Sequence, residues 1–407
     1  MTSISDSQPK APQPGGASKP TVGVYIHIPF CERVCPYCDF AVVAARTLSR
    51  EVEERYVSAL LLEMARRAED FVPHSLSTVY FGGGTPSLLQ PSSIERLVRA
   101  AKETFGAAGK GIEVTLEMNP STTERERLPG FREAGVNRLS MGIQSFDDTT
   151  LKRLGRAHKA SECGTSIEAA RAAGFQNISL DLILACPGQS FAAFERDLDT
   201  ALGYEPEHIS VYELTIESGT PFALANERGQ LDRPAEDLAT QMLEHLAHRC
   251  AEVGIERYEV SNYARRGFES AHNSRYWARE PVLGLGMGAW SGEVPGGAMP
   301  YGGRSMNPRE LGAYLSRVEG GEAAASEFDV LNEAQARGEA MFLGLRRAAG
   351  VVASAFEAEF GSPPRSFYRE QIDRLMASGL IAETTSGNLR LTAQGVLLSD
   401  TVFADFV

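Results

Sequence analysis

Short apolar runs alternate with amphipathic stretches from residue 22 to about residue 217. The runs are rich in β-branched and aromatic residues, and the stretches between them repeat apolar residues at the helical period. Predicted strands cover Val22–Ile28, Thr78–Phe81, Ile112–Met118, Arg138–Gly142, Ile178–Ile183 and His208–Glu213, and predicted helices cover Glu51–Arg67, Ser92–Phe105, Glu124–Ala134, Ala160–Ala173 and Phe191–Leu202. Six strand–helix units in succession indicate a parallel sheet with helices outside, and a partial or full α/β barrel fits better than an open sheet.

The rest of the chain divides into two parts with different patterns. Residues 218–320 combine a predicted helix, Glu236–Val253, with glycine-rich loops. Residues 321–407 carry three predicted helices and a hairpin around Gly387, a pattern typical of a small winged-helix-like module. Residues 1–20 are rich in Pro, Gly and Ser and are expected to form a disordered arm. The predicted fold is therefore α/β, a partial (β/α)6 barrel over 21–217, an extension over 218–320 and a smaller α+β region over 321–407.

Two details of the predicted helices can be checked by burial. The first helix is expected to bury Val52, Tyr56, Ala59 and Leu60 on one face, because these positions follow the helical period. Ser92 or Ser93 is expected to cap the second helix.

Composition narrows the class of protein. Apolar residues make up 43% of the 407 residues and the net charge is −13, which argues against a nucleic-acid surface. The first 20 residues lack the apolar segment of a secretory signal, and no run approaches the roughly 20 apolar residues of a membrane span. Six cysteines in a chain of this length do not suggest a disulfide scaffold, so we expect a reducing cytoplasm.

Unusual residues follow each of the six predicted strands. They are the cysteines Cys31, Cys35 and Cys38, the loop Gly82–Pro86, Glu117, Gln144, Asp181 and the pair Tyr212 and Glu213. In an α/β barrel the carboxyl ends of the strands form the face that binds ligands, so the pattern predicts a single site there.

The cysteine loop has the spacing C-x3-C-x2-C. Three thiolates on one loop can bind three irons of a [4Fe–4S] cluster and leave the fourth iron open for another ligand. A structural zinc site is the alternative, with His27 as the fourth ligand, but zinc knuckles usually pair two C-x2-C units and only one is present.

Several motifs together resemble a known family. They are Tyr25-Ile-His-Ile-Pro-Phe-Cys31 with the two following cysteines, Gly82-Gly-Gly-Thr-Pro-Ser87, Met141-Gly-Ile-Gln-Ser-Phe146, Leu151-x2-Leu-Gly-Arg156 and Asp181-Leu-Ile-x3-Pro-Gly-Gln189. The chain after residue 20 resembles the radical S-adenosylmethionine (SAM) proteins of the oxygen-independent coproporphyrinogen oxidase family. The true oxidases usually carry a fourth cysteine where this chain has Phe40. Phe40 and the motif His272-Asn-Ser-Arg-Tyr-Trp277 are similar to the HemW-type heme chaperone branch.

The resemblance implies roles for individual residues. Cys31, Cys35 and Cys38 would ligate the [4Fe–4S] cluster, and SAM would chelate its open iron. Contacts to SAM are implied for Tyr25, Tyr37, Gly83, Gly84, Thr85, Glu117, Gln144, Arg156 and Asp181. Heme contacts are implied for His272, Asn273, Tyr276 and Trp277, since imidazole can ligate ferric heme and aromatic rings can stack on a porphyrin.

Two functions from different classes remain open at this point. One is a heme chaperone that binds heme and delivers it to respiratory enzymes, with no catalytic residue assigned. The other is an oxygen-independent coproporphyrinogen III dehydrogenase that forms protoporphyrinogen IX. The expected partners are heme, the receiving respiratory enzymes and a flavodoxin- or ferredoxin-type electron donor, with no nucleic acid. A homodimer and peripheral membrane contact stay open.

Overall fold

The computed structural model describes residues 20–109 and 111–407, without the side chains of residues 122 and 236. The predicted disordered arm therefore lies outside the described residues, apart from Pro20. The strands are β1 (Thr21–Ile28), β2 (Phe30–Cys31), β3 (Val43–Ala44), β4 (Ser75–Gly83), β5 (Glu113–Met118), β6 (Arg138–Gln144), β7 (Ile178–Leu184), β8 (His208–Glu213), β9 (Glu256–Arg257), β10 (Asn262–Ala264), β11 (Val282–Leu285), β12 (Trp290–Glu293), β13 (Gly303–Met306), β14 (Glu327–Val330), β15 (Ile381–Glu383) and β16 (Leu389–Leu391).

Helices follow most of these strands. They are α1 (Arg50–Arg67), α2 (Pro91–Phe105), α3 (Thr122–Glu133), α4 (Asp148–Arg153), α5 (Ala160–Ala172), α6 (Phe191–Gly203), α7 (Pro221–Glu227), α8 (Glu236–Glu252), α9 (Ala271–Trp277), α10 (Leu311–Glu319), α11 (Glu333–Arg346), α12 (Ala353–Phe360), α13 (Pro364–Ala377), α14 (Ala393–Leu397) and α15 (Ser399–Ala404), with short 3₁₀ turns at Ala68–Phe71 and Pro86–Leu88. In the described part of the chain no helix is long and apolar enough to cross a membrane.

One large sheet organises residues 21–330. Its strand order is β14-β13-β12-β11-β1-β4-β5-β6-β7-β8-β10-β9. Strands β1 and β4 to β8 are parallel neighbours, which confirms the six predicted strands and the α/β class. Because the sheet has two edges and does not close on itself, it is a partial barrel.

The sheet extends beyond the predicted alternation. Strand β11 pairs in parallel with β1, and β12 to β14 continue that edge in antiparallel pairing. At the opposite edge β10 pairs with β8 in antiparallel direction. Strands from residues 218–330 therefore enlarge the barrel sheet. The domain boundaries expected after residue 217 and after residue 320 stay a prediction.

The two faces of the parallel strands differ in chemistry. Along β5, Val114 and Leu116 are buried in the core with the outer helices, whereas the alternate residues Thr115 and Glu117 face the inside of the barrel. Along β6, Arg138 and Ser140 face inward in the same alternation. The inside of the barrel is therefore polar, and this polar face supplies the site.

Burial in α1 confirms the expectation for Tyr56, Ala59 and Leu60, but the expectations for Val52 and for the cap of α2 are wrong. Val52 is 42% exposed, and α1 turns Glu53 and Glu63 inward beside Tyr56. Gln90 is the N-cap of α2, and Ser93 instead donates a hydrogen bond of 2.7 Å to buried Glu53. Sequence reasoning missed the two buried carboxylates because their hydrogen-bond donors, such as Ser93 and Tyr314, lie on distant segments.

The C-terminal region has a core of its own. Helices α11 to α13, the hairpin β15–β16 and α15 bury a second hydrophobic cluster that includes Leu345, Phe356, Ile372 and Val402. The three predicted helices and the hairpin are present, while the winged-helix-like description stays a prediction.

Candidate functional site

A cavity of about 540 Å³ opens at the carboxyl ends of the parallel strands. Of the residues singled out in the sequence, its lining includes Cys31, Cys35, Cys38, Tyr37, Gly83, Gly84, Thr85, Glu117, Gln144, Arg156, Asp181 and Asn273. Tyr212 and Glu213 line it as well, so residues on or after six successive parallel strands meet in one place, as expected for the ligand-binding face of an α/β barrel.

The cysteine loop lies at the mouth of this cavity. All three thiols are unpaired and partly exposed, and the amide of Cys38 donates to the carbonyl of Cys35 in a tight turn. Two polar side chains, buried Thr85 and half-buried Arg156, reach the sulfurs: the Thr85 hydroxyl lies 3.7 Å from Cys31 Sγ, and Arg156 Nη1 lies 3.7 Å from Cys35 Sγ. Burial raises the pKa of the Cys31 thiol to about 11, so a bound metal has to displace its proton.

The surroundings of His27 bear on the zinc alternative. Among the described residues no group of three or more Cys, His, Asp or Glu side chains is placed to hold one metal ion. A cubane needs no such convergence, because each thiolate binds a different iron. His27 is buried and both its ring nitrogens are engaged, Nδ1 with the Tyr25 hydroxyl at 3.0 Å and Nε2 with the Ala41 carbonyl at 2.8 Å. It is therefore not placed as a fourth zinc ligand.

The glycine loop after β4 packs directly on His27. Gly83 has φ of +106°, and a Cβ added there would lie 2.7 Å from His27 Nε2 and closer still to Nδ1 and Cε1. Only glycine combines this conformation with this approach. The backbone N–H of Gly83 donates to Glu117 at 3.1 Å.

Glu117 is the carboxylate at the centre of the cavity. Its other oxygen accepts a hydrogen bond of 2.8 Å from the Tyr80 hydroxyl. Burial, with the nearby charge of Asp181, raises the pKa of Glu117 to about 7, although the hydrogen bonds from Tyr80 and Gly83 oppose the rise. The group therefore changes charge near neutral pH, and a cationic ligand would hold it ionised.

A second chain of contacts runs from Arg156 to the cluster loop. Arg156 donates to the Gly142 carbonyl at 2.9 Å and forms a short hydrogen bond with the side-chain oxygen of Asn119. The Asn119 amide donates to the Thr85 hydroxyl at 3.0 Å, and Thr85 reaches Cys31. This network fixes the two side chains that contact the thiols.

Asp181 sits one strand further along the sheet. Its oxygens accept hydrogen bonds from Ser140 at 2.8 Å and from Ser179 at 2.9 Å. Burial raises its pKa, while these hydroxyls lower it. Gln144 ends β6 with φ of +66°, which turns the chain at the edge of the cavity.

Four of the predicted residues do not line the cavity: Tyr25, His272, Tyr276 and Trp277. His272 is fully buried below it, where Nδ1 lies 2.8 Å from the Thr78 hydroxyl and Nε2 lies 3.1 Å from the Tyr276 hydroxyl. The His272 ring also stacks on Tyr80 with centroids 5.1 Å apart. Burial lowers its pKa to about 3, so the imidazole is neutral. Both ring nitrogens of His272 already have partners inside the protein, and heme contact by His272 stays a prediction.

The last residue of the motif points away from the barrel. The Trp277 ring packs under the guanidinium of Arg346 from α11, 4.5 Å from the ring centroid. Asn273 is the one member of the motif that lines the cavity. The motif therefore has residues in three places: Asn273 at the cavity, His272 and Tyr276 in the interior, and Trp277 against α11.

Sequence reasoning missed several cavity residues, namely Tyr80, Asn119, Arg138, Ser140 and Ser210. The signal was present in the alternation of the strands. A strand covered on both faces is usually almost entirely apolar, so polar residues at every second position mark a polar interior.

Comparisons with known proteins agree with this arrangement. The model of the Radical SAM superfamily matches residues 25–201, and that of the HemN C-terminal domain matches residues 331–398. The solved structure of coproporphyrinogen III oxidase (HemN) from Escherichia coli superposes with a TM-score of 0.80, covering 95% of this chain and 90% of that one. At 23% identity this likeness shows the fold alone.

Closer sequence relatives carry another description. The Heme chaperone HemW of Bacillus subtilis is 37% identical over 94% of this chain and 98% of its own length, and that of Lactococcus lactis is 35% identical over 94% and 96%. The mouse protein called Radical S-adenosyl methionine domain-containing protein 1, mitochondrial, is 34% identical over 98% of this chain and 89% of its own length. The radical SAM match implies a [4Fe–4S] cluster and SAM as cofactors. This chain belongs to the HemW family of radical SAM proteins.

Proposed function

We propose that the protein is a heme chaperone, which binds heme and delivers it to membrane respiratory enzymes such as quinol oxidases or cytochromes. The observation that carries the proposal is the likeness to proteins named Heme chaperone HemW along almost their whole length. The coproporphyrinogen oxidase is similar in fold, at an identity that supports no transfer of activity.

The cavity entrance gives the proposal a physical basis. Phe40, where the oxidases usually have a further cysteine, is 70% exposed and lines the cavity, and Val34, which also lines it, is 42% exposed. Exposed apolar side chains at an opening are typical of a ligand or partner surface. A flat, largely apolar macrocycle is a suitable occupant, because an aromatic side chain can stack on it.

The cofactors would be held by the residues that meet in the cavity. Cys31, Cys35 and Cys38 would bind the cluster, while Gly83, Gly84, Thr85, Glu117, Tyr37, Gln144, Arg156 and Asp181 would surround SAM. When bound, a reduced cluster and SAM supply one-electron chemistry. The chain's own part is to orient: Glu117 offers a carboxylate to a cationic group, and Arg156 places a positive charge beside Cys35.

The heme contact is proposed for the cavity side of α9. Asn273 reaches the cavity, whereas His272 and Tyr276 hold each other in the interior. We place the protein in the cytoplasm, with a flavodoxin- or ferredoxin-type electron donor as a partner. Homodimer formation and peripheral membrane contact belong to the same proposal.

Titration with heme tests the function. The protein is purified without oxygen with its cluster, ferric heme is added, and the Soret band is followed; the same sample is assayed for conversion of coproporphyrinogen III. We expect a Soret shift with a dissociation constant in the micromolar range or below and no porphyrinogen conversion. Conversion without heme binding would replace the proposal with the dehydrogenase.

A matched pair of variants locates the heme surface. Phe40→Ser removes the exposed ring at the cavity, and Phe328→Ser removes a ring that is 57% exposed on the distant edge strand β14. We expect Phe40→Ser to weaken heme binding about tenfold, the equivalent of roughly 1.4 kcal/mol of lost apolar contact, and Phe328→Ser to leave it unchanged. Equal effects of the two substitutions would place heme elsewhere.

A further inference from the structure

Arg138 is a buried cation with an unusual environment. It opens β6, is 1% exposed and points into the barrel, where it lines the floor of the cavity. Its Nε is shielded from solvent without a partner, and its guanidinium makes no hydrogen bond or ion pair with any residue of the described ranges. Thr115, which faces Arg138 across the β5–β6 ladder, also has a buried hydroxyl without a partner.

The nearest carboxylates do not satisfy this guanidinium. Glu117 uses its oxygens to accept from Tyr80 and Gly83, and Asp181 accepts from serine hydroxyls. Arg138 lowers the pKa of both acids through space, yet neither lies within ion-pair distance. The two acids therefore balance part of its charge and leave its donors unused.

Unused donors on a buried guanidinium are costly. A buried ion without a partner destabilises the folded protein strongly, and a buried hydroxyl without a hydrogen bond adds to this penalty. The planar fork of arginine matches the two oxygens of a carboxylate, so the missing partner has a definite chemistry. Because the side chain borders the cavity, a ligand in the cavity can supply that partner.

We propose that Arg138 and Thr115 form a carboxylate subsite on the floor of the cavity. Arg138 would donate a pair of hydrogen bonds to the carboxylate, and the Thr115 hydroxyl would donate a further one. Two ligands expected in this cavity carry the group: heme through its propionates, and SAM through the same carboxylate that would chelate the open iron. The heme source rests on the proposed function, whereas the SAM source rests on the radical SAM family alone.

The test compares three probes on the full chain with its cluster, under anaerobic conditions. Ferric heme, heme dimethyl ester, which lacks both carboxylates, and SAM are each titrated into the unaltered protein and into Arg138→Gln. We expect Arg138→Gln to weaken at least one carboxylate-bearing probe by about 10- to 100-fold, the value of a charge-assisted hydrogen-bond pair. Arg99→Gln, which removes the same charge from a side chain that is 63% exposed, is expected to change nothing.

The pattern of losses identifies the source. If heme binding falls to the level of the ester and SAM binding persists, the subsite takes a propionate; the reverse pattern assigns it to SAM. If the unaltered protein binds no heme, the proposed function fails while the SAM arm still tests the subsite. Unchanged binding of both heme and SAM by a folded, cluster-loaded Arg138→Gln protein overturns the subsite.

Conservative variants protect the test against misfolding. Arg138→Lys keeps the positive charge but loses the planar guanidinium, so we expect its affinity for the probe to lie between that of the unaltered protein and that of Arg138→Gln. Thr115→Val keeps the shape and removes the hydroxyl, with an expected weakening of about fivefold, the equivalent of one neutral hydrogen bond. If both conservative variants bind heme and SAM as the unaltered protein does, the subsite is rejected without Arg138→Gln.

Discussion

Replacing Gly83 with alanine tests how far the loop after β4 depends on the close packing of its backbone on His27. The new Cβ would lie 2.7 Å from His27 Nε2 and closer to two other ring atoms, at a φ of +106° that side chains rarely adopt. Backbone atoms on both sides are held by the sheet, so His27 has to move. Its ring would then lose the hydrogen bonds to Tyr25 and Ala41.

The expected cost has two separable contributions. The backbone conformation costs about 1–3 kcal/mol for a residue with a side chain. The two lost hydrogen bonds of His27 cost about 1 kcal/mol each, more if a buried nitrogen is left without a partner. The sum of about 3–5 kcal/mol is a large fraction of the stability of an ordinary domain, about 5–15 kcal/mol.

Gly106 provides a control for the backbone contribution. It has φ of +66°, and a Cβ added there meets no atom within 4 Å. Gly106→Ala is therefore expected to cost the backbone term alone, so Gly83→Ala should exceed it by about 2 kcal/mol or more. The measurement is urea-induced unfolding of both variants and the parent protein. A difference below about 1 kcal/mol between the two variants would refute the steric argument.

Three further substitutions test the site. His272→Ala is expected to lower the free energy of unfolding by about 3 kcal/mol, because two buried hydrogen bonds and the stacking on Tyr80 are lost. A Soret titration of the same variant is expected to show that heme binding is retained. Unchanged stability with abolished heme binding would contradict the packing role of His272. Glu124 has its pKa raised by burial from the usual 4.5 to about 7, so the folded state binds a proton more tightly than the unfolded state and stability falls as pH rises from about 4.5 to 7. Glu124→Gln should remove about 2.5 kcal/mol of the difference in unfolding free energy between about pH 5 and about pH 7.5, measured by urea unfolding; an unaltered difference would count against it. Arg156→Gln removes a positive charge beside Cys35 and should make the reduction potential of the cluster about 60 mV more negative, which corresponds to the energy of roughly one charge-assisted hydrogen bond. The potential is measured by a redox titration followed by electron paramagnetic resonance. An equal or more positive potential would contradict this role of Arg156.

The strands and helices of the barrel were predictable because each follows a local period. Strand β6 reads Arg138-Leu-Ser-Met-Gly-Ile-Gln144, with apolar residues at alternate positions toward the outer helices. The placing of the site was predictable as well, because parallel strands bring their carboxyl ends to one edge. Both arguments use positions only a few residues apart.

Other parts of the fold depend on distant partners. Glu63 is 1% exposed in α1 because Tyr314, Asn307 and the Gly286 amide donate to it from segments more than 220 residues away. The strands β9 to β14 are two to four residues long and gain their pairing from edges of the sheet that already exist. Neither feature leaves a local period, so the sequence pattern alone does not reveal them.

The motif His272–Trp277 shows how a sequence signature can be specific and still mislead about geometry. The resemblance implied heme contacts for four of its residues, whereas the seven-residue helix α9 points their side chains in different directions. His272 and Tyr276 support Tyr80, and Tyr80 holds Glu117 in the cavity. Trp277, on the same short helix, packs under Arg346 of the C-terminal region. Helix α9 therefore contacts both the floor of the cavity, through His272 and Tyr80, and helix α11, through Trp277 and Arg346.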